Sequence, residues 1–157
     1  MADGSLPAAL LGSADVPVYS VHQPHGRSPF VLLADHAGQA IPAALGNLGL
    51  PAGEIDRHIG WDIGIAGVTR QLTGLLDAWA IEQHYSRLVI DCNRPLASPT
   101  LMPAISDGTT VGANADVSAV QRQARIAAIH APYHAAIAGE LDRRQQAGTP
   151  TVLVLLH

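Results

Sequence analysis

Residues 30–36 read Phe-Val-Leu-Leu-Ala-Asp-His, a continuous apolar run that ends in two polar residues. Because the run is short and follows Pro29, it favours a buried β-strand over a helix. A second apolar run, Thr-Val-Leu-Val-Leu-Leu, covers residues 151–156 and is followed by His157. Fully apolar runs are typical of strands that are covered on both faces, so we expect residues 151–156 to form a central strand.

Helical patterns lie between these two runs. Residues 62–76 carry apolar side chains at helical spacing, and Asp62 is the expected N-cap of this helix. A second helix is expected to begin at a capping box that opens at Ser118, and Pro132 should kink or split that helix. The alternation of strands and helices indicates an α/β fold.

Residues 79–84 and 88–90 predict two more strands, and the short connection between them favours an antiparallel pair. The whole pattern predicts one α/β domain over residues 1–157, with a mixed sheet and flanking helices. Residues 1–28 are expected to be a loose N-terminal leader. The irregular stretch 95–114 is expected to cover a functional site, because long loops in compact domains are usually functional.

Composition excludes several classes of protein. Of the 157 residues, 48% are hydrophobic and 14% are charged, which provides a core and argues against a disordered chain. A net charge of −4, with nine arginines and no lysine, argues against a nucleic-acid partner. No apolar stretch reaches the ~20 residues that a membrane span needs. The single cysteine, Cys92, excludes an internal disulfide and suits a reducing compartment, so we expect a cytoplasmic protein.

Polar side chains follow three of the apolar runs. His36 follows the first run, Asn93 and Arg94 follow the run around residues 88–90, and His157 follows the last run. If these strands are parallel, their carboxyl ends meet at one edge of the sheet, where α/β proteins bind ligands. Two neutral imidazoles at that edge could hold a divalent metal such as zinc. The alternative is that each histidine caps a strand end and hydrogen-bonds to the backbone.

Arginines and further histidines are the other candidate functional residues. Arg87 and Arg94 could clamp a carboxylate with their planar guanidinium groups, and Asn93 could add an amide donor. The alternative for both arginines is ion pairing with the acidic residues Asp91, Asp107 or Glu82. The remaining candidates are His58 and Asp62 as ligands of a metal or supports of one, His130 and His134 as a helix-face pair that hydrogen-bonds nearby, and Cys92 as an inert buried thiol.

Three segments of the chain carry a resemblance to a known family. They are Asp35-His36-Ala37-Gly38, His58-Ile59-Gly60-Trp61-Asp62 and Ser86-Arg87-Leu88-Val89-Ile90-Asp91-Cys92-Asn93-Arg94. In this order they resemble the N-formylglutamate amidohydrolase family, which is related to the zinc carboxypeptidases. The resemblance implies a phosphorylase/hydrolase-like α/β fold. It also implies metal-assisted hydrolysis of a small N-acyl amino acid, with N-formyl-L-glutamate and water giving formate and glutamate.

The resemblance implies a site in which His36 and His157 bind zinc and Arg87, Asn93 and Arg94 bind the substrate carboxylate. The family pattern has a metal-binding glutamate three residues after the first histidine, but this chain has Gln39 there, so Asp62 is the substitute candidate for the third ligand. Family members continue beyond the histidine at this chain's end, in the region expected to supply the general base. We therefore expect the amidohydrolase domain to be incomplete. The alternatives are a hydrolase of another N-acyl amino acid and a non-catalytic carboxylate-binding domain.

Overall fold

The protein is described from a computed structural model that covers residues 9–157. Six strands and three α-helices occur in this part of the chain. The strands are β1 Tyr19–His22, β2 Phe30–Ala34, β3 Trp79–Gln83, β4 Ile105–Ser106, β5 Thr109–Thr110 and β6 Val152–Leu155. The helices are α1 Ile65–Leu76, α2 Ala119–Arg125 and α3 Ala131–Gln146, and a π-helical turn, Ile126–His130, joins α2 to α3.

The main sheet has the strand order β1-β3-β2-β6. Strand β2 runs parallel to both β3 and β6, whereas β1 is antiparallel to β3. This mixed sheet with helices beside it confirms the predicted α/β fold class. The parallel pairing of β2 with β6, with Leu33 opposite Leu155, brings the carboxyl ends of these two strands to the same edge.

The two faces of the sheet are packed differently. On one face, a large apolar core includes residues of β2 and β3 together with Ile129, Tyr133 and Ile137 of the α2–α3 region. On the other face, Leu32 and Ala80 pack with Leu72 of helix α1. Small side chains on this face allow a helix to lie close to the sheet. Helix α1 is therefore held against β2 and β3.

Two predicted strands require correction. Residues 88–90 are fully buried but form turns instead of a strand, and the antiparallel neighbour of β3 is β1. Residues 151–156 do form a strand, β6, but it lies at an edge of the sheet in the described part of the chain. Three side chains of this strand are about half exposed, those of Val152, Leu153 and Leu155. An apolar run therefore does not by itself indicate a central strand.

The predicted helix at residues 62–76 begins later than expected. Helix α1 starts at Ile65, and its N-cap is Gly64, whose φ of 88° is readily adopted only without a side chain. Asp62 therefore does not cap the helix and its carboxylate is free for other contacts. The second helix begins with the predicted capping box between Ser118 and Gln121. The helix is not split at Pro132, because the backbone stays helical from α2 through the π-helical turn into α3, and Pro132 lies in the first turn of α3.

The stretch 1–28, which we expected to be a loose leader, contributes to the sheet within its described part. Tyr19–His22 forms β1, and Leu10 is buried in the main core. Residues 1–8 lie outside the described residues. Among residues 9–157, no helix has both the length and the apolar composition that crossing a membrane requires.

Candidate metal centre and substrate pocket

The histidines that follow β2 and β6 converge with Asp62. His36 lies two residues beyond the end of β2, and His157 lies two residues beyond the end of β6. The backbone N–H of Asp62 donates to the carbonyl of His36 at 2.9 Å, which ties the segment before α1 to the end of β2. The Oδ2 atom of Asp62 lies 3.3 Å from Nδ1 of His36 and 3.0 Å from Nδ1 of His157.

These three side chains offer a donor set that fits a divalent metal. One ligand atom from each of His36, Asp62 and His157 lies within 4.8 Å of the other two. Two imidazole nitrogens and one carboxylate oxygen are the ligands that zinc prefers, and three protein ligands leave a coordination position for water or substrate. The structure thus brings together the three residues that the sequence singled out as metal ligands.

Asp91 supports this group in a way that the sequence reading missed. The Nε2 N–H of the buried His36 donates to Oδ1 of Asp91 at 2.6 Å. A carboxylate behind a histidine in this way fixes the ring and leaves the opposite nitrogen available for a metal. The sequence reading considered Asp91 only as an ion-pair partner of the arginines, although it stands in the same motif as Arg87 and Arg94.

The charge state of Asp91 suits this supporting contact. Burial alone would raise the pKa of the carboxyl group. The hydrogen bond and charge of His36, the backbone N–H of Asn93 and the charge of Arg87 outweigh burial and hold the pKa below its ordinary value. Asp91 is therefore ionised at neutral pH and accepts from His36.

Arg87 is engaged by the carboxylates around the metal group. Its Nη1 lies 3.3 Å from Oδ1 of Asp62, and its Nη2 lies 3.4 Å from Oδ2 of Asp91. The sequence left two roles open for Arg87, a clamp on a substrate carboxylate and an ion pair with an acidic residue, and the structure shows the ion pair with Asp91. Arg94 is less constrained, because its ion pair with Asp91, from Nε to Oδ2, is 3.8 Å long and its side chain is 50% exposed.

A cavity of about 360 Å³ is connected to the metal group through Asp91, which contacts His36, and Arg87, which contacts Asp62, while none of the three candidate ligands lines it. Arg87, Asp91 and Arg94 line one part of it, and Ser106 and Asp107 of the 95–114 loop line another. The loop therefore borders the site, as its length suggested. His58 also lines the cavity but is exposed, and its nearest ionic contact is Asp107 at 3.5 Å, outside the metal group.

Asn93 lies beside the metal group, and Gln39 lies outside it. The Nδ2 atom of Asn93 lies 3.3 Å from Nε2 of His157, so Asn93 contacts a candidate ligand as well as standing beside Arg94. The Oε1 atom of Gln39 is buried without a hydrogen-bond partner in the described residues. Gln39 is not part of the metal group, in which Asp62 is the candidate for the third ligand.

The histidine pair on the helix and the lone cysteine lie close to the Asn93–Arg94 turn. The Nε2 N–H of His134 donates to the carbonyl of Cys92 at 2.9 Å, and that of His130 donates to the carbonyl of Arg94 at 3.3 Å. Both histidines line a second cavity of about 310 Å³ next to Asn93. Burial raises the pKa of the Cys92 thiol, which is consistent with an inert side chain.

Comparison with known proteins shows the family of this chain. A search of curated proteins found no match. The crystal structure of gene product Atu2144 from Agrobacterium tumefaciens superposes with a TM-score of 0.91 at 34% identity, and the match covers 94% of this chain and 59% of that one. This chain thus corresponds to 59% of the length of that protein. The model of the N-formylglutamate amidohydrolase family matches residues 28–157, and the chain belongs to that family.

Proposed function

We propose that the protein is a metal-dependent amidohydrolase that converts N-formyl-L-glutamate and water to formate and glutamate. The observation that carries the proposal is the group of two imidazole nitrogens and one carboxylate oxygen within 4.8 Å, joined by the contact of Asp62 with Arg87 to a cavity that Arg87 and Arg94 line. Membership of the N-formylglutamate amidohydrolase family supports the same reaction.

His36, Asp62 and His157 would hold the metal, for which zinc is the proposed identity. Zinc bound there supplies a Lewis acid for the formyl carbonyl and lowers the pKa of a bound water to about 7. Two further side chains hold the candidate ligands in place. Asp91 orients His36 at 2.6 Å, and Arg87 holds the carboxylates of Asp62 and Asp91 in place.

Arg94 is the residue best placed to bind the substrate carboxylate. Its guanidinium group lines the cavity, is half exposed and makes only a long contact with Asp91. A guanidinium group binds a carboxylate through two parallel hydrogen bonds, which fixes the orientation of the substrate. Arg87 and Asn93 complete the proposed substrate-binding group, with Arg87 using the N–H donors that its ion pairs leave over.

A second candidate function is carboxylate binding without hydrolysis. Among the described residues, the carboxylates that line the cavity are Asp91 and Asp107. Both are engaged by arginines, Asp91 by Arg87 and Asp107 by Arg57 at 2.8 Å. An ion-paired carboxylate is a weak proton acceptor, so this observation favours a site that binds the amino acid without activating water.

Turnover of a set of N-acyl glutamates separates these functions. The purified protein is loaded with zinc, its metal content is measured, and N-formyl-L-glutamate is compared with the N-acetyl and N-succinyl analogues. Hydrolysis of each compound releases glutamate together with its own acyl acid, so glutamate release measures turnover. Release of glutamate and formate from the formyl substrate alone supports the proposal, and release of glutamate from another analogue alone assigns a different acyl group. Calorimetric binding of glutamate without any turnover supports the carboxylate-binding function. A zinc-loaded protein that neither binds nor hydrolyses these compounds contradicts both.

The proposal also includes a cytoplasmic location and a small-molecule substrate. Cys92 is a free, buried thiol, which suits the reducing conditions of the cytoplasm. The acidic net charge of −4 suits a small-molecule substrate better than a nucleic-acid partner.

A further inference from the structure

Side chains from one helix hold the segment that carries Asn93 and Arg94. The Nε2 N–H groups of His134 and His130 donate to the carbonyls of Cys92 and Arg94, at 2.9 and 3.3 Å. These carbonyls flank Asn93. We propose that His130 and His134 are positioning residues that set the substrate-binding geometry of Arg94, an inference that rests on the proposed function of that arginine.

The π-helical turn explains how the helix reaches this segment at several points. Its characteristic i to i+5 hydrogen bond runs from the N–H of Ala131 to the carbonyl of Ile126. The wider turn brings residues five apart, Arg125 and His130, to one side of the helix, where an α-helix would separate them. Arg125 is buried and its Nη1 donates to the carbonyl of Val89 at 3.0 Å.

The segment 88–94 depends on such contacts because it is not part of the sheet. Its apolar residues are buried, but its backbone forms turns with no neighbouring strand to satisfy the carbonyls. Buried carbonyls without donors are costly, so donors from side chains replace the missing ladder. In the described chain, the helix provides these donors at Val89, Cys92 and Arg94.

The two imidazole rings also support one another. Their centroids are 4.2 Å apart with an interplanar angle of 35°. Tyr133, which lies between the two histidines in the sequence, donates its hydroxyl to Oδ1 of Asp35 at 2.7 Å. One turn of the helix is thus attached both to the end of β2, next to His36, and to the Asn93–Arg94 turn.

Substitutions that keep or remove the N–H donor test the proposal. His134→Leu and His130→Leu remove a donor, whereas His134→Gln keeps a donor of similar reach. We expect each leucine variant to raise KM for N-formyl-L-glutamate about tenfold, with kcat and zinc content within about twofold of the parent. His134→Gln should restore KM to within about threefold of the parent value.

His84→Leu is the matched control. His84 donates from Nδ1 to the carbonyl of Pro17 at 2.8 Å, so this variant loses the same kind of contact away from the cavity, and its KM should not change. If the leucine variants at 130 and 134 leave KM unchanged, or if His134→Gln is as defective as His134→Leu, the positioning role is wrong.

Amide hydrogen exchange tests the positioning role of the two histidines without a substrate, and therefore independently of the proposed function. The N–H of Arg94 donates to the carbonyl of Asp91 at 3.1 Å, and its exchange should accelerate at least tenfold in His134→Leu but not in His134→Gln. If the parent binds and hydrolyses no substrate, the proposed function fails, and the exchange result still shows whether the histidines hold the turn. Unchanged exchange in both leucine variants overturns the inference.

Discussion

At the scale of single residues, His36 has the most constrained position in the candidate metal centre. Its ring is 1% exposed and lies between Asp91, at 2.6 Å from Nε2, and Asp62, at 3.3 Å from Nδ1. His157 is exposed and its ring is held by Asn93 and Asp62. A buried, oriented imidazole binds a metal with little further loss of freedom, so His36 should contribute most to metal affinity.

His36→Ala should abolish zinc uptake. The substitution removes one of the three donors and leaves Asp91 without the N–H that it accepts, and two remaining donors bind zinc weakly. Elemental analysis after loading and dialysis measures the effect. His58→Ala is the matched control, because His58 lines the cavity outside the metal group and its loss should leave zinc stoichiometric. Retained zinc in His36→Ala would place the metal elsewhere.

Arg94→Ala should weaken substrate binding while zinc content stays unchanged. A charged hydrogen-bonded contact contributes about 1.5–3 kcal/mol, so KM for N-formyl-L-glutamate, or the dissociation constant of glutamate, should rise roughly 10- to 100-fold. Steady-state kinetics and calorimetry on the same zinc-loaded sample measure both quantities. Arg27→Ala serves as the control, since Arg27 pairs with Asp77 away from the cavity. Loss of zinc in Arg94→Ala would contradict the assignment of Arg94 to the substrate.

At the scale of elements, the chain after β2 runs close beside the segment after β3. Ala40 accepts from Ser86 at 2.9 Å and donates to the carbonyl of His84 at 3.0 Å, which forms an isolated parallel bridge beyond both strands. Gly38 lies against the backbone of His84 in this region, where a Cβ atom would overlap it. The two segments that carry His36 and Arg87 are therefore held together by backbone contact.

Gly38→Ala should destabilise the fold by about 3 kcal/mol, because the added methyl group meets backbone that cannot move aside. Gly74→Ala is the matched control. Gly74 lies in helix α1 with nothing within 4 Å of an added Cβ, so this variant should gain about 1 kcal/mol from helix propensity. Chemical unfolding of the metal-free proteins measures both changes. A Gly38→Ala variant as stable as the parent would show that the two segments can separate.

At the scale of the whole molecule, buried ionisable groups link the fold to pH. Asp91 and Glu140 are buried and their pKa values are lowered, despite burial, by His36 and by Arg143 with Arg144 respectively. Burial and the neighbouring His134 lower the pKa of His130. In each case the unfolded chain binds protons more readily than the folded chain, so acid favours unfolding.

The stability of the metal-free protein should therefore fall in two stages on acidification. The contribution of His130 is complete above its unfolded pKa of about 6.5 and is lost as pH falls below that value. The contributions of Asp91 and Glu140 are present above about pH 4 and are lost as pH falls through their lower folded values. Urea unfolding between pH 8 and pH 3 measures the curve, and His130→Gln should remove the first stage. Rising stability between pH 7 and pH 5 would contradict this account.

The sequence predicted much of the fold where local pattern and tertiary burial agree. Strand β2 and the capping box at Ser118 are confirmed because each depends on neighbouring residues, whereas at Pro132 a π-helical turn keeps the helix continuous. Residues 88–90 were misread because their burial is that of a strand, whereas side chains of Asn114 and Arg125 supply the hydrogen bonds. Composition within a short run cannot distinguish these sources of donors.

For the candidate site, the sequence by itself determined which side-chain types follow the apolar runs, and so which residues are candidates for metal and carboxylate binding. Histidines and arginines after apolar runs indicated metal and carboxylate binding before any topology was known. Only the tertiary structure decided that β2 and β6 are parallel neighbours, that Asp62 joins His36 and His157, and that Asp91 stands behind His36. The physical reason is that a site is defined by distances of a few ångströms between residues far apart in the chain, and those distances follow from strand pairing and packing of the whole molecule.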